Sequence, residues 1–560
     1  MREKRKKSIL RKILLTLLLV FFLALAGFVT WYLIDTRFTP PDVNEQIADQ
    51  LKREKTGEDA YRIGSSWLRK NKYGLWEMYL EGEPFEMGVI SGKLTRELIY
   101  EQESAFVNKI RELVPSESYL SFLKYFIRFF NRDIDEYILP EYKEEIYGIS
   151  LSASEDFGFI GSNYERMLNY HGAHDIGHAL QDLMLVGCTS FAANMGFADS
   201  SLIIGRNFDF FISEEFARNI IICFVKPAQG FKFTYVTWAS FIGVVSGINE
   251  AGLTVTINAG KSDIPTSAAT PISLLAREIL QYAENMEEDI TIAEKRQTFV
   301  SESLLIGSAG DNRAIIIEKS PTRIDIYESG NDWLVCANHF QSQAFSADET
   351  NIEHQSRSAS GDRQERAVEL LTRNDTVSYL QAAEILRDRQ GGKGQSIGLG
   401  NEKAMAQMIS HHSVIMQPLK HRLWVSTPPY QFGPFLCYSL DSLFSHPYMP
   451  QDHGRYDSSL TIPADHFIFS DQYNDFLQYK NMRHMIKEAI KHKTILNDTV
   501  IKSFLSLNPD YYEGYVLAGD YYAEQDESDK ASAYYQQALQ KEFEHEDQKR
   551  EVEEKLKQLP

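Results

Sequence analysis

Gly187-Cys188-Thr189-Ser190-Phe191, followed after a short loop and a strand by Gly205-Arg206-Asn207-Phe208-Asp209-Phe210, is the stretch on which the reading of this chain turns. A cysteine acts as a nucleophile only with thiolate character and a proton acceptor within reach. No local sequence supplies a histidine acceptor for Cys188. A cut directly in front of it would supply one, because a freed α-amine has an intrinsic pKa of about 7.7–8.0 and can serve as the base. Gly187 suits such a cut, since a residue without Cβ permits the strained backbone in which the thiol attacks the preceding carbonyl. Arg206 and Asp209 lie one strand and one turn downstream, where a charged pair can hold the thiolate and the new amine. Spacing alone favours a plainer reading, a buried structural cysteine near an exposed ion pair.

Further stretches follow in a recognisable order. They are Gly247-Ile248-Asn249-Glu250-Ala251-Gly252-Leu253 running to Thr256-Ile257-Asn258-Ala259, then Ala337-Asn338-His339-Phe340, then Ser360-Gly361-Asp362-Arg363-Gln364-Glu365-Arg366. His412-Ser413-Val414 leading to Arg422-Leu423-Trp424-Val425-Ser426 closes the series. With the Gly-Cys-Thr-Ser-Phe and Gly-Arg-Asn-Phe-Asp-Phe pair, this order resembles the N-terminal nucleophile hydrolases that include penicillin-forming acyltransferases and bile-salt (choloylglycine) hydrolases, with acid ceramidase more distant. The resemblance covers roughly residues 187–438 and, more weakly, 74–92, which looks like the start of the acyltransferase propeptide.

The resemblance implies that Cys188 is the nucleophile, exposed by autocatalytic cleavage after Gly187, with Arg206 and Asp209 orienting it. It implies that Asn258 and Asn338 contribute to an oxyanion hole, which needs neutral donors aimed where carbonyl charge develops. Arg363 would complete the polar network around the amine, with Arg357 and Arg366 as near alternatives. Without the resemblance, Asn258 reads as a turn or strand-end residue and Asn338 as a hydrogen-bonded loop amide. The implied fold is α+β, a four-layer αββα sandwich. The implied activity is a cysteine amidohydrolase or acyltransferase acting on the linear amide bond of an N-acylated small molecule, with no cofactor and no metal. A lipid or ester hydrolase on the same fold, or a non-enzymatic membrane scaffold, are the rival readings.

Residue patterning divides the rest of the chain. Residues 35–60 are polar with a Pro pair and read as a linker, and residues 61–187 read as mostly helical, with Leu94, Leu98, Phe106, Ile110 and Leu113 on one face. The catalytic region spans 188–445. Within it β-type runs at 202–204, 220–224, 231–238, 241–248 and 253–257 precede a helix at 271–283, and strands at 304–306, 313–318 and 323–327 follow. A hairpin at 413–416 and 423–426 would complete the sheets. Residues 446–560 read as helical, and Tyr515, Gly519, Tyr522, Ala531, Tyr535 and Ala538 fall at the small and aromatic positions of a tetratricopeptide unit. That segment is either a platform for a protein partner or a helical hairpin capping its neighbours.

The 560 residues carry 43% hydrophobic and 24% charged side chains and only four cysteines, which excludes disordered, collagen-like and disulfide-framework proteins. The basic tip, residues 1–12, holds seven Lys/Arg and one Glu; the remainder then has 51 basic against 77 acidic residues, a net of −26. A body that acidic argues against a nucleic-acid partner. Residues 13–34 carry no charged side chain and are long enough to cross roughly 30 Å of hydrocarbon as a helix. Flanking charge puts the tip in the cytoplasm and the body outside, periplasmic or extracellular. The alternative is a signal peptide cleaved near Ala24-Leu25-Ala26, giving a secreted protein. His171, His174 and His178 include an i, i+4 pair, yet no glutamate or further Cys/His set accompanies them, so packing is the better reading than a metal site. Cys336 reads as a buried strand residue. The glycine-rich stretch 391–400 lacks the Lys-Ser/Thr pair of a phosphate loop.

Overall fold

The computed structural model describes the chain apart from residues 1, 115, 180–184, 195–200, 212, 264–267, 374–375 and 448–453, and apart from some side chains beside these and near the N-terminus. Its architecture is mixed α+β, organised by two large sheets. The first has eleven strands in the spatial order Glu54–Gly57, Ala60–Ile63, Ser66–Lys70, Trp76–Gly82, Ile221–Pro227, Phe233–Thr237, Ser246–Asn249, Leu253–Ala259, Glu302–Ser308, Arg313–Lys319 and Ile324–Tyr327. All neighbours are antiparallel except Trp76–Gly82 beside Ile221–Pro227, where the register runs from Trp76 opposite Ile221 to Gly82 opposite Pro227. The second has seven, in the order Trp333–Cys336, Thr189–Ala193, Ile203–Phe208, His412–Gln417, Arg422–Ser426, Phe435–Ser439 and Asp457–Ile462.

Alternation along the strands fills the space between the sheets. Ala192, Ile204, Leu334, Val414, Met416 and Val425 of the smaller sheet meet Ile222, Phe224, Val236, Ile248, Leu305 and Ile316 of the larger in one buried cluster. Period two then sends Phe191, Ala193, Ile203 and Ile415 to the opposite face, against the helices Ser360–Leu371 and Tyr379–Leu386. The outer face of the large sheet, including Met78, Val225, Tyr235, Val255 and Ile306, is covered by Pro84–Leu94, Pro140–Ser150, Asn163–Ala179 and Ile272–Tyr282.

Four expectations are corrected. Residues 61–187 are mostly helical, but only from Pro84 onward, because the chain first lays down strands through Gly82. The strand Trp76–Gly82 is buried on both faces over its first five residues, so it lacks the alternation that marks a half-exposed strand. The stretch 35–60 is a linker only in part, since it contains the helix Gln46–Gln50 and the strand Glu54–Gly57. The expected 241–248 strand shrinks to Ser246–Asn249, with Ser240 at φ 70° turning the chain before it. The 413–426 hairpin does not complete the second sheet: Phe435–Ser439 and Asp457–Ile462 extend it past residue 445, into a segment read as helical.

From Asp471 onward five helices build their own core around Tyr479, Phe504, Tyr512, Tyr522 and Tyr535. Gly519 lets two of them approach, for a Cβ there would stand 2.4 Å from the Tyr535 ring. This bundle docks on the loop before the strand His412–Gln417. Asn508 and Leu399 exchange hydrogen bonds at 2.9 and 3.0 Å, and Lys403 Nζ lies 2.6 Å from Glu542. At the other end the helix Arg2–Asp35 contains a 22-residue apolar run, Arg11–Tyr32, none of it buried against the rest of the chain.

Candidate active site

Cys188 sits at the entry to the strand Thr189–Ala193, buried between the sheets. Strand parity aims it: Ser190 and Ala192 face the large sheet, so Cys188 does too, while Thr189 faces the helix Ser360–Leu371. The antiparallel partner strand puts Arg206 opposite Ser190 and continues into Asp209. One hairpin therefore assembles Cys188, Arg206 and Asp209.

Arg206 Nη2 donates to Cys188 Sγ at 3.5 Å and to the Ile257 carbonyl at 2.5 Å, and Nη1 donates to Ser246 Oγ at 2.6 Å. Its guanidinium also stands 4.2 Å from the Phe208 ring centroid. Burial pushes the Cys188 thiol up to about 11, with Arg206 pulling the other way. Gly187 N–H donates to the Asp209 carbonyl at 3.0 Å, and Cys188 Sγ lies 4.0 Å from the same oxygen. The Gln407 side-chain amide donates to the Gly187 carbonyl and, at 3.1 Å, to Asp209 Oδ2. A Cβ at Gly187 would stand 2.4 Å from Gln407 Oε1, so a side chain there would have to displace this amide. The Cys188 sulfur and the carbonyl in front of it thus each have a donor in place.

The asparagines bridge the layers. Asn258 Oδ1 accepts from Ser190 Oγ at 3.0 Å and its Nδ2 donates to the Cys336 carbonyl at 2.9 Å. Asn338 Nδ2 donates to the Ala259 carbonyl at 3.1 Å, and Oδ1 accepts from Arg363 Nη2 at 2.7 Å. Each amide nitrogen carries a second hydrogen beyond these bonds. Arg363 also donates to Thr189 Oγ1 at 3.1 Å, beside Cys188, and to the Glu402 carbonyl at 2.8 Å. Of the three arginines, Arg363 is the one joined to this network. Arg357 is exposed and pairs with Glu353, and Arg366 is held by Asp388 and Glu369.

Gln407 and Ser246 are contributors that sequence reasoning does not single out. Gln407 is 220 residues from the carbonyl it contacts and lies in a loop without periodicity, so nothing local marks it. Of the three histidines, His171 is a core residue: Nδ1–H donates to the Met167 carbonyl at 2.8 Å and Nε2 accepts from Ile242 N–H at 3.0 Å. The side chains of His174 and His178 lie outside the described residues. Glu402, Glu544 and His545 converge closely enough for a cation, but protein groups hold them: the Tyr511 and Tyr512 hydroxyls each donate to Glu544 at 2.9 Å, and His545 meets Glu402 at 3.0 Å. A cleft of about 660 Å³ lined by Arg387, Asp388, Asp465 and Asp510 contains none of the residues around Cys188.

Burial lifts the Asp209 carboxyl to about 7, against the pull of Arg363 and Arg206. The folded chain holds this proton more tightly than the unfolded one, so the stability it lends is complete below about pH 4 and is lost as pH rises to about 7. Asp209→Asn is expected to remove that decline. Calorimetric melting of both proteins across this range checks it, and an unchanged slope would count against the buried carboxyl.

Residues 197–426 match the model of the acyl-coenzyme A:6-aminopenicillanic acid acyl-transferase family, a match that begins downstream of Cys188. An uncharacterized protein of Archaeoglobus fulgidus is 24% identical over 259 residues, 42% of this chain and 41% of its own length. Protein dcd1B of Dictyostelium discoideum is 22% identical over 296 residues, 50% of this chain and 54% of its own. The chain thus spans about half or less of these relatives. Among solved structures, a Caenorhabditis elegans ortholog of N-acylethanolamine-hydrolyzing acid amidase aligns over 41% of this chain and 93% of its own, at 18% identity and TM-score 0.30. A mutant of conjugated bile acid hydrolase from Clostridium perfringens aligns over 48% and 95%, at 12% identity and TM-score 0.32. Through its central segment, residues 197–426, the chain is similar to the acyl-coenzyme A:6-aminopenicillanic acid acyl-transferase family.

Proposed function

We propose that this chain is a cysteine amidohydrolase or acyltransferase that activates itself by cleavage between Gly187 and Cys188, on a four-layer αββα body. The observation that carries this reading is the pairing of Arg206 Nη2 on Cys188 Sγ with the Gln407 amide on the Gly187 carbonyl. In the uncut chain Cys188 Sγ attacks the Gly187 carbonyl carbon, and Gln407 stabilises the oxygen as it gains charge. The peptide C–N bond then opens, the departing nitrogen takes the thiol proton, and a thioester links Gly187 to Cys188. Water hydrolyses it, leaving a Gly187 carboxylate, a free thiol and the α-amine of Cys188.

In the mature site the amine takes the thiol proton as Sγ attacks a substrate amide, and returns it to the leaving nitrogen. Water or a second amine resolves the acyl-enzyme. Arg206 holds the sulfur, and Asp209, whose Oδ1 has no hydrogen-bond partner among the described residues, faces the new ammonium. Asn258 and Asn338 supply donors to the substrate oxyanion. The similarity of residues 197–426 to acyl-coenzyme A:6-aminopenicillanic acid acyl-transferases supports amide chemistry on an N-acylated small molecule.

The cut need not separate the pieces. Residues before it provide four strands of the large sheet, and Glu145 is joined to Arg277 at 2.7 Å in a buried pair across the two parts. The apolar run Arg11–Tyr32 spans a membrane in this reading, with the body on the outer side.

The substrate class is tested by incubating purified protein with N-acyl amino acids, penicillins, bile-salt conjugates and ceramides and following amine release. Amine release from one of these panels is the expected result. Cleavage of phospholipid or ester alone would favour a lipid hydrolase instead.

A further inference from the structure

The helix Glu117–Phe130 turns an aromatic stripe toward solvent. Tyr119, Phe122, Tyr125, Phe126 and Phe129 follow at three- and four-residue steps and are exposed, Phe122 by 62%. The stripe's edge and the far side are committed to the body: Phe130, stacked on Phe126, packs at 6.4 Å on Phe299, and Arg128 Nε reaches Glu165 and the Thr36 carbonyl, each at 3.1 Å. A contiguous apolar surface of this kind marks an interaction site.

Its position says what covers it. Trp31 and Tyr32 end the 22-residue apolar run, whose length as a helix is about 33 Å, close to the hydrocarbon thickness of a bilayer. The Phe129 ring lies 6.1 Å from Trp31 and stacks on Tyr32 at 6.5 Å, and the Tyr32 hydroxyl donates to the Tyr125 carbonyl at 2.8 Å. Tryptophan and tyrosine at the end of a span sit at the headgroup level. The aromatic helix is fastened at that same level, with Lys124 on it and Arg132 just past its end, the Arg132 guanidinium 4.6 Å from the Phe129 ring centroid. That combination of an aromatic face and basic flanks fits a helix lying in the membrane interface.

We infer that Glu117–Phe130 lies in the outer leaflet of the bilayer that holds the N-terminal helix, its aromatic stripe sunk at the boundary of headgroups and acyl chains. The inference rests on the spanning reading of Arg11–Tyr32. It gives the body two points of attachment to lipid and so fixes its orientation to the membrane.

The test places an environment-sensitive fluorophore on Phe122→Cys or Phe126→Cys of the full chain, in phosphatidylcholine vesicles containing phosphatidylglycerol. The four native cysteines are buried, and the parent chain serves as labelling control. Leu19→Cys within the span and Glu353→Cys on exposed surface are references. Brominated lipid is expected to quench the probes at 122, 126 and 19, and aqueous iodide only the probe at 353. Iodide quenching at 122 and 126 with lipid quenching at 19 would overturn the inference and leave the span intact. Protection from both quenchers would mean that a second copy or another protein covers the stripe, which also overturns it. Loss of lipid quenching at 19 itself would remove the span, and the inference with it.

Discussion

Cys188→Ala is expected to yield one uncut 560-residue chain whose turnover is lower by roughly 10⁴–10⁶-fold. The substitution removes the only sulfur that has a guanidinium within hydrogen-bond reach among the described residues. Its structural cost is small, since one sulfur in a well-packed site amounts to about 1 kcal/mol. Cys188→Ser is expected to keep some self-cleavage, because a hydroxyl in the same place can still attack the Gly187 carbonyl. The other cysteines provide the control. Cys223, Cys336 and Cys437 are all core residues with thiols pushed up by burial, Cys437 to about 12. Alanine at any of them should change stability and leave cleavage in place. A time course on denaturing gels, with amine release on the matured sample, reads both effects.

Gln407→Ala should slow self-cleavage by about 10²–10³-fold, the loss seen when one donor to a developing oxyanion is removed. Gln407 Nε2 is the side-chain donor on the Gly187 carbonyl, so the uncut precursor should accumulate. Cys188 and Arg206 keep their contact in this variant, so protein that has matured should retain much of its turnover. Gly187→Ala is expected to impair cleavage through the same pair, because its Cβ would stand 2.4 Å from Gln407 Oε1. Added to Gln407→Ala, it should cost much less than it does alone, the signature of two residues acting through one contact. Maturation of Gln407→Ala at the wild-type rate would remove the glutamine from the mechanism.

The heart of the site is legible in sequence because it is local. Cys188, Arg206 and Asp209 lie on or just beside two antiparallel strands close in sequence, and the period of two along each strand decides which side chains share a face. Residues from distant segments are legible only through resemblance. Arg363 and Arg366 lie one turn apart on one helix, and sequence does not choose between them. Packing does, since Arg363 reaches Thr189 while Arg366 is taken by Asp388. Gln407 has no signal, being brought to Gly187 by a loop that the C-terminal helices brace at Leu399, Asn401 and Lys403. The strands 54–82 escape the sequence reading for a related reason. Their interior member is buried on both faces over its first five residues, with the buried Glu77 breaking any apolar–polar alternation, and only its partner Ile221–Pro227, far along the chain, makes it a strand.

Self-cleavage in front of Cys188 is the claim from which the amine base, the nucleophile and the role of Gln407 all follow. Intact mass and N-terminal sequencing of the purified full chain under denaturing conditions test it. The account predicts pieces of 187 and 373 residues, the larger beginning Cys-Thr-Ser-Phe, that stay together until denatured. A chain that turns over substrate while remaining whole at 64.2 kDa would contradict it.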